Sequence, residues 1–244
     1  MIKLHAFGPM FGLPDPSPYV TKTEIHLRMA DLAYEKVAGD LDKTPKHKLP
    51  IIEDDGQIID DSTFIRSHIE RTRGIDLDAG LSVRERAEAW AIERMLEDHL
   101  CWAVIYDRWM DEANFMRGPA QFFQGAPAHL RDGIIKDVRT RITTKMSDHG
   151  IGRHSPAERL ELAHRSLSAL ATLMGDRPYV MGQQATAVDA FTFAVLTAAL
   201  APLFDTPLRQ AVEGYGSLIP YVRRMAVRFY PDHAWWWDHP QSAA

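Results

Sequence analysis

The stretch from Lys48 to Ser62 confines this chain more tightly than any other. Two apolar pairs, Ile51-Ile52 and Ile58-Ile59, flank Asp55-Gly56. Asp-Gly suits a two-residue hairpin turn, because both residues tolerate the positive φ that such a turn demands. The spacing predicts two antiparallel strands. Pro50 stands immediately before the first, and Asp61-Ser62 follows the second at the mouth of a helix that runs to about Arg71.

The residues upstream complete a unit. Ile2 to Phe7 reads as a buried strand, and Gly8 to Pro16 as a loop rich in Gly and Pro. Ser17-Pro18 opens a helix that runs to about Leu32, since Ser caps well and Pro suits the first helical turn. Tyr34 to Val37 is a short second strand, followed by a polar loop from Asp40 to His47. The order β-α-β, then β-β-α, is that of an α/β thioredoxin-like domain over residues 1–73, followed by a linker over 74–81.

Residues 82–244 change character and contain no convincing strand. Ser82-Val83-Arg84-Glu85 is a capping box that starts a long helix to about Met110, and Ser155-Pro156-Ala157-Glu158 is another. Thr186-Ala187-Val188-Asp189 is a variant with Asp as the returning carboxylate. It precedes the most apolar window, Ala190 to Phe204, which falls short of the ~20 residues needed to cross a bilayer. That window reads as a buried helix, and the second domain as an all-α helical bundle.

A net charge of −5 makes no electrostatic case for nucleic acid or an anionic membrane. The single cysteine, Cys101, excludes an internal disulfide and a Cys-x-x-Cys dithiol. The short apolar run at Met1–Gly8 does not read as a signal peptide. A cytoplasmic protein is the expectation.

The Pro50 hairpin followed by Asp61-Ser62 resembles the glutathione-binding half of the glutathione S-transferase superfamily. The Thr186 box before an apolar helix strengthens that resemblance, which extends to about Phe229. Ser17-Pro18-Tyr19-Val20-Thr21-Lys22 and Pro45-Lys46-His47-Lys48-Leu49-Pro50 look like the branch containing failed-axon-connections and metaxin-like proteins. The resemblance implies glutathione as co-substrate, no metal, a homodimer and a small hydrophobic electrophile as second substrate. It also implies a cis bond before Pro50, with the Leu49 backbone pairing to glutathione. Asp61 and Ser62 would hold the γ-glutamyl end, and Lys48 or Lys46 the glycine carboxylate.

Ser17 aligns with the first cysteine of the omega and glutaredoxin-like members, and is the candidate catalytic hydroxyl. Lowering a thiol pKa by two units takes ~2.7 kcal/mol. A hydrogen bond to the thiolate supplies ~1.5–3 kcal/mol and a helix N-terminus adds ~0.3–1 kcal/mol. The plainer reading of Ser17 is a helix cap. Tyr19 is the alternative hydroxyl. A mixed disulfide is excluded at a serine.

Trp102, Tyr106 and Trp109 share one helical face and are expected to border the electrophile pocket, with Met10 and Phe11 opposite. The alternative for that stripe is core or domain interface. Asp107 and Asp111 lie one helical turn apart, but adjacent Arg108 favours a charged surface over a metal site. Glu97, Asp98, His99 and Cys101 point around a helix rather than converging. One or more of Trp235, Trp236 and Trp237 is expected to pack back over the domains or at an oligomer contact. Two further readings keep the fold: a non-catalytic binding or interaction protein, and a glutathione-dependent isomerase.

Overall fold

The computed structural model describes residues 1–238. Strand β1 (Ile2–Ala6) runs parallel to β2 (Tyr34–Ala38), joined through helix α1 (Pro18–Met29). Strands β3 (Ile51–Asp54) and β4 (Gln57–Asp60) form the hairpin, giving a sheet of order β2-β1-β3-β4 with β3 antiparallel to β1. Asp55 and Gly56 both take positive φ, 49° and 79°, as the two-residue turn requires. Helix α2 (Ser62–Arg73) ends at Gly74 in the left-handed region, a common helix stop. Ile2, Leu4, Leu27, Ile52, Ile65 and Ile69 fill the core between sheet and helices.

The helical domain begins with α3 (Val83–Met95), whose Ser82–Glu85 capping box is formed. The single helix expected over 82–110 is interrupted. Residues Leu96–Leu100 make a π-helical segment before α4 (Cys101–Met110). Then come α5 (Glu112–Arg117), α6 (Ala128–His149), α7 (Pro156–Met174), α8 (Ala187–Leu200), α9 (Pro207–Glu213) and α10 (Leu218–Phe229). Every residue of α8 is buried. Its N-terminus is held by Asp189, whose carboxylate accepts from Thr186 N at 2.8 Å and Val180 N at 2.9 Å. Among the described residues no helix is long and apolar enough to cross a membrane.

The two halves are bound by polar contacts as well as packing. Helix α1 lies on α8, and His26 Nε2 sits 3.0 Å from Ala187 O. Lys22 is fully buried between Glu93 at 3.2 Å and Glu97 at 2.6 Å, which accounts for Glu97 as a structural counter-ion. The segment 74–81 is pinned. Buried Asp78 accepts from Ala187 N at 3.1 Å and from Arg66 Nη2 at 2.5 Å. The C-terminal tryptophans fold back. Trp235 is buried edge-on to Phe193, Trp237 stacks on Trp235 at 4.6 Å, and His233 Nε2 sits 2.9 Å from Gly12 O.

Candidate active site

Strand register gathers the candidate residues at one edge of the sheet. His5 pairs with Ile51, and Ile51 with Asp60. One further step along each strand brings the end of β1, Pro50 and Asp61 to the same edge. The Leu49–Pro50 bond is cis. Leu49 is buried against Gly39, where an added Cβ would lie 2.4 Å from Leu49 Cδ1. Gly39 therefore lets β2 close on this edge.

Asp61 has φ 70° and ψ 127° at the cap of α2. That backbone is sparsely populated for a residue with a side chain, and such outliers gather at ligand sites. Its carboxylate accepts from Thr63 N at 3.1 Å and pairs with Lys48 Nζ at 2.9 Å. Burial pushes the Asp61 carboxyl up, but Lys48 and the Thr63 amide outweigh it and hold it below the usual range. Lys46 pairs with Asp60 at 2.8 Å. Ser62 is buried as the first residue of α2, where free amides and the helix dipole favour an anion.

Ser17 caps α1, accepting from Val20 N at 3.4 Å. An oxygen that accepts in this way keeps its own O–H to donate. Asp15 organises the loop that carries Ser17. It accepts from Phe7 N and Gly8 N, each at 3.0 Å, and from Ser17 N at 2.9 Å. Burial pushes the Asp15 carboxyl up to about 7, against the pull of those amides and of Lys36. Sequence reasoning missed Asp15. The available signal was a lone acidic residue between two prolines, just before a helix cap.

Ser17 opens on an apolar cavity of about 820 Å³ between the domains, walled by Phe7, Phe11, Ile105, Trp109 and Phe122 among others. Tyr19 also lines it, but its hydroxyl donates to Glu97 O at 3.3 Å across the domain boundary. Burial pushes the Tyr19 phenol well above its usual range, so its proton is committed. The expected stripe divides. Trp109 reaches the cavity, whereas Trp102 stacks on His149 and Tyr106 lies beneath Arg159 in a separate cleft. At about 100° per residue, the cavity face of α4 centres on Val104, Ile105 and Arg108. Trp109 is at its margin, and Trp102 and Tyr106 lie beyond it. Phe11 lines the cavity, while Met10 packs on the helical core and bridges to Leu13 instead.

Arg108 is the polar member of that wall that the sequence reading set aside as surface. It is buried, donating from Nη1 to Pro16 O at 3.0 Å and from Nη2 to Ala198 O at 2.7 Å. Its Nε has no partner, and among the described residues no carboxylate pairs with it. The guanidinium lies 4.8 Å from the Phe204 ring centroid and 5.7 Å from that of Phe11. Burial pushes it down to about 10, which leaves it a cation at neutral pH. Cys101 is buried and pushed up to about 12 by that burial, an inert thiol. Asp111 caps α5 through Asn114 N at 2.8 Å.

An α/β unit with a cis-proline edge, joined to a helical bundle over an apolar cavity, defines a protein of glutathione transferase architecture. The chain matches the glutathione S-transferase N-terminal domain over residues 18–114 and the C-terminal domain over 163–225. It is 30% identical to isoprene-epoxide–glutathione S-transferase of Rhodococcus sp. (strain AD45), covering 94% of this chain and 99% of that one. It is 32% identical to Failed axon connections of Drosophila melanogaster, over 98% of this chain and 59% of that protein. Among solved structures, β-etherase LigF of Sphingobium sp. strain SYK-6 superposes with a TM-score of 0.64 at 16% identity, covering 92% of this chain and 94% of that one. The chain belongs to the glutathione S-transferase superfamily, and its likeness to Failed axon connections agrees with the branch expected from the sequence.

Proposed function

We propose that this protein is a glutathione transferase that activates the glutathione thiol and directs it at a small apolar electrophile. Glutathione lies along the sheet edge, with its cysteinyl part against the Leu49 backbone and its γ-glutamyl end at Asp61 and Ser62. Lys48 or Lys46 faces the glycine carboxylate. Ser17 donates its hydroxyl hydrogen to the sulfur, and the helix terminus adds to thiolate stability. The observation that carries this reading is Ser17, with its O–H still free to donate, on the wall of an apolar cavity of about 820 Å³. The activity for which the Rhodococcus relative is named makes small epoxides the first electrophiles to try.

The test is an ultraviolet titration of thiolate absorbance with glutathione bound. The bound thiol should ionise about two units below the free value of ~8.5, and Ser17→Ala should restore most of that shift. Binding with an unshifted thiol defeats the Ser17 mechanism. That outcome would favour the second reading, a binding protein that keeps the fold without the chemistry. The likeness to Failed axon connections over 98% of the chain motivates it. An isomerase using the same thiolate would return glutathione unconsumed, which product analysis separates. A homodimer and a cytoplasmic location belong to the same proposal, and sedimentation and fractionation test them.

A further inference from the structure

Arg108 is the least economical residue in the cavity wall. A buried cation without a counter-charge is strongly unfavourable. Two backbone carbonyls partly satisfy this one, yet they supply no full negative charge, and Nε stays unpartnered. It is not an internal ion pair of the sort that Lys22 makes with Glu93 and Glu97. The carbonyls fix it in place. One belongs to Pro16, adjacent to Ser17, and the other to Ala198 in α8, so the cation is held close to the place where sulfur would attack. A fixed charge in a site shielded from water stabilises developing charge without having to reorganise.

We infer that Arg108 binds the oxyanion that forms when the thiolate opens a strained oxygen ring, and that the preferred substrates are electrophiles of that class. The inference rests on the transferase reading. In the step, sulfur forms a bond to ring carbon and the carbon–oxygen bond breaks with its electron pair passing to oxygen. Arg108 faces that oxygen, which then takes a proton from water. No redox partner is needed. An alkyl iodide of the same skeleton expels a large, diffuse iodide that gains far less from a guanidinium.

The experiment compares an epoxide with the matching alkyl iodide in the wild type, Arg108→Met and Arg108→Lys, with bound-thiol ionisation measured alongside. Arg108→Met should lower kcat on the epoxide by about 10²–10³-fold. Because the tie from Pro16 to Ala198 serves every electrophile, its iodide rate should fall too, but by a much smaller factor, so that the epoxide-to-iodide rate ratio drops. The bound-thiol ionisation should not track the epoxide loss, and Arg108→Lys should retain much of the epoxide rate. Equal losses on both electrophiles, or no loss on either, overturn the assignment. Wild type that conjugates the iodide but not the epoxide overturns it and leaves the transferase reading standing. Wild type that conjugates neither overturns both. A second measurement needs no variant: calorimetry of S-(2-carboxyethyl)glutathione against the isosteric S-isopentyl conjugate. An apolar cavity alone would favour the isopentyl tail. The assignment expects the carboxylate to bind at least as tightly, and clear preference for isopentyl overturns it.

Discussion

Replacing Asp78 with alanine should loosen the seam on which the cavity depends. Asp78 is buried and makes two contacts that differ in kind. Its Oδ1 accepts the first amide of α8, Ala187 N, at 3.1 Å, and its Oδ2 accepts Arg66 Nη2 at 2.5 Å. Loss of the first orphans a buried N–H, at about 1–3 kcal/mol. Loss of the second removes a charged hydrogen bond worth about 1.5–3 kcal/mol. The lower end applies there, because Arg66 keeps Glu70 at 3.1 Å and its side chain is 18% exposed. The expected total is about 2.5–4.5 kcal/mol, read from urea unfolding with an unchanged slope. At about 2–4 °C per kcal/mol for a chain of this size, Tm should fall by roughly 5–18 °C. Asp78→Asn retains an oxygen for Ala187 and should lose only the ionic share. A loss below about 1 kcal/mol in Asp78→Ala would refute the reasoning, as would an asparagine variant equally unstable.

Three further substitutions separate the parts of the site. Gly39→Ala drives a Cβ to 2.4 Å from Leu49 Cδ1. It should cost about 1–3 kcal/mol of overpacking and weaken glutathione affinity, both measurable by thermal shift with and without ligand. Trp109→Ala should change KM for electrophiles while Trp102→Ala does not, because only Trp109 lines the cavity; equal effects in steady-state kinetics would count against the cavity as the substrate site. Asp15 ionises at about 7 when folded, above its unfolded value near ~3.9. Its contribution to stability is therefore full below about pH 4 and is lost as pH rises through about 7. Asp15→Asn should remove that decline from a plot of Tm against pH, and an unchanged slope would exclude Asp15 as its source.

The first domain was legible because its signals are local. Asp55-Gly56 specifies a turn from two residues, and Ser17-Pro18 and Ser82–Glu85 specify helix starts from four or fewer. Helix α6 was not anticipated. It begins at Ala128, after Pro127, without a side-chain cap and buries only Met146, so neither a start signal nor an apolar stripe marks it. The π-helical turn at Leu96–Leu100 leaves the helical pattern nearly intact and has no compositional signature. The cavity was the least legible part. Which face of α4 borders it depends on how α4 packs against the first domain, and of the aromatic stripe only Trp109 reaches it. Arg108 reads as surface in a sequence because arginine is rarely buried. Only the carbonyls of Pro16 and Ala198, distant in the chain, explain how it is buried.

Those carbonyls also show how the site divides. The proposed glutathione edge is built from β1, β3 and α2, all within the first domain. The proposed electrophile site is a property of the seam: Tyr19 reaches Glu97, Arg108 ties Pro16 to Ala198, and Asp78 ties Arg66 to α8. A perturbation of the seam should therefore damage electrophile turnover before it damages glutathione affinity, and a perturbation of the sheet edge should do the reverse. In Asp78→Asn, still folded, kcat on an epoxide should fall while the glutathione Kd stays near wild type. In Gly39→Ala the Kd should rise first. If both variants shifted both quantities in proportion, the two sites would be one cooperative unit, and the seam would carry no separate chemistry.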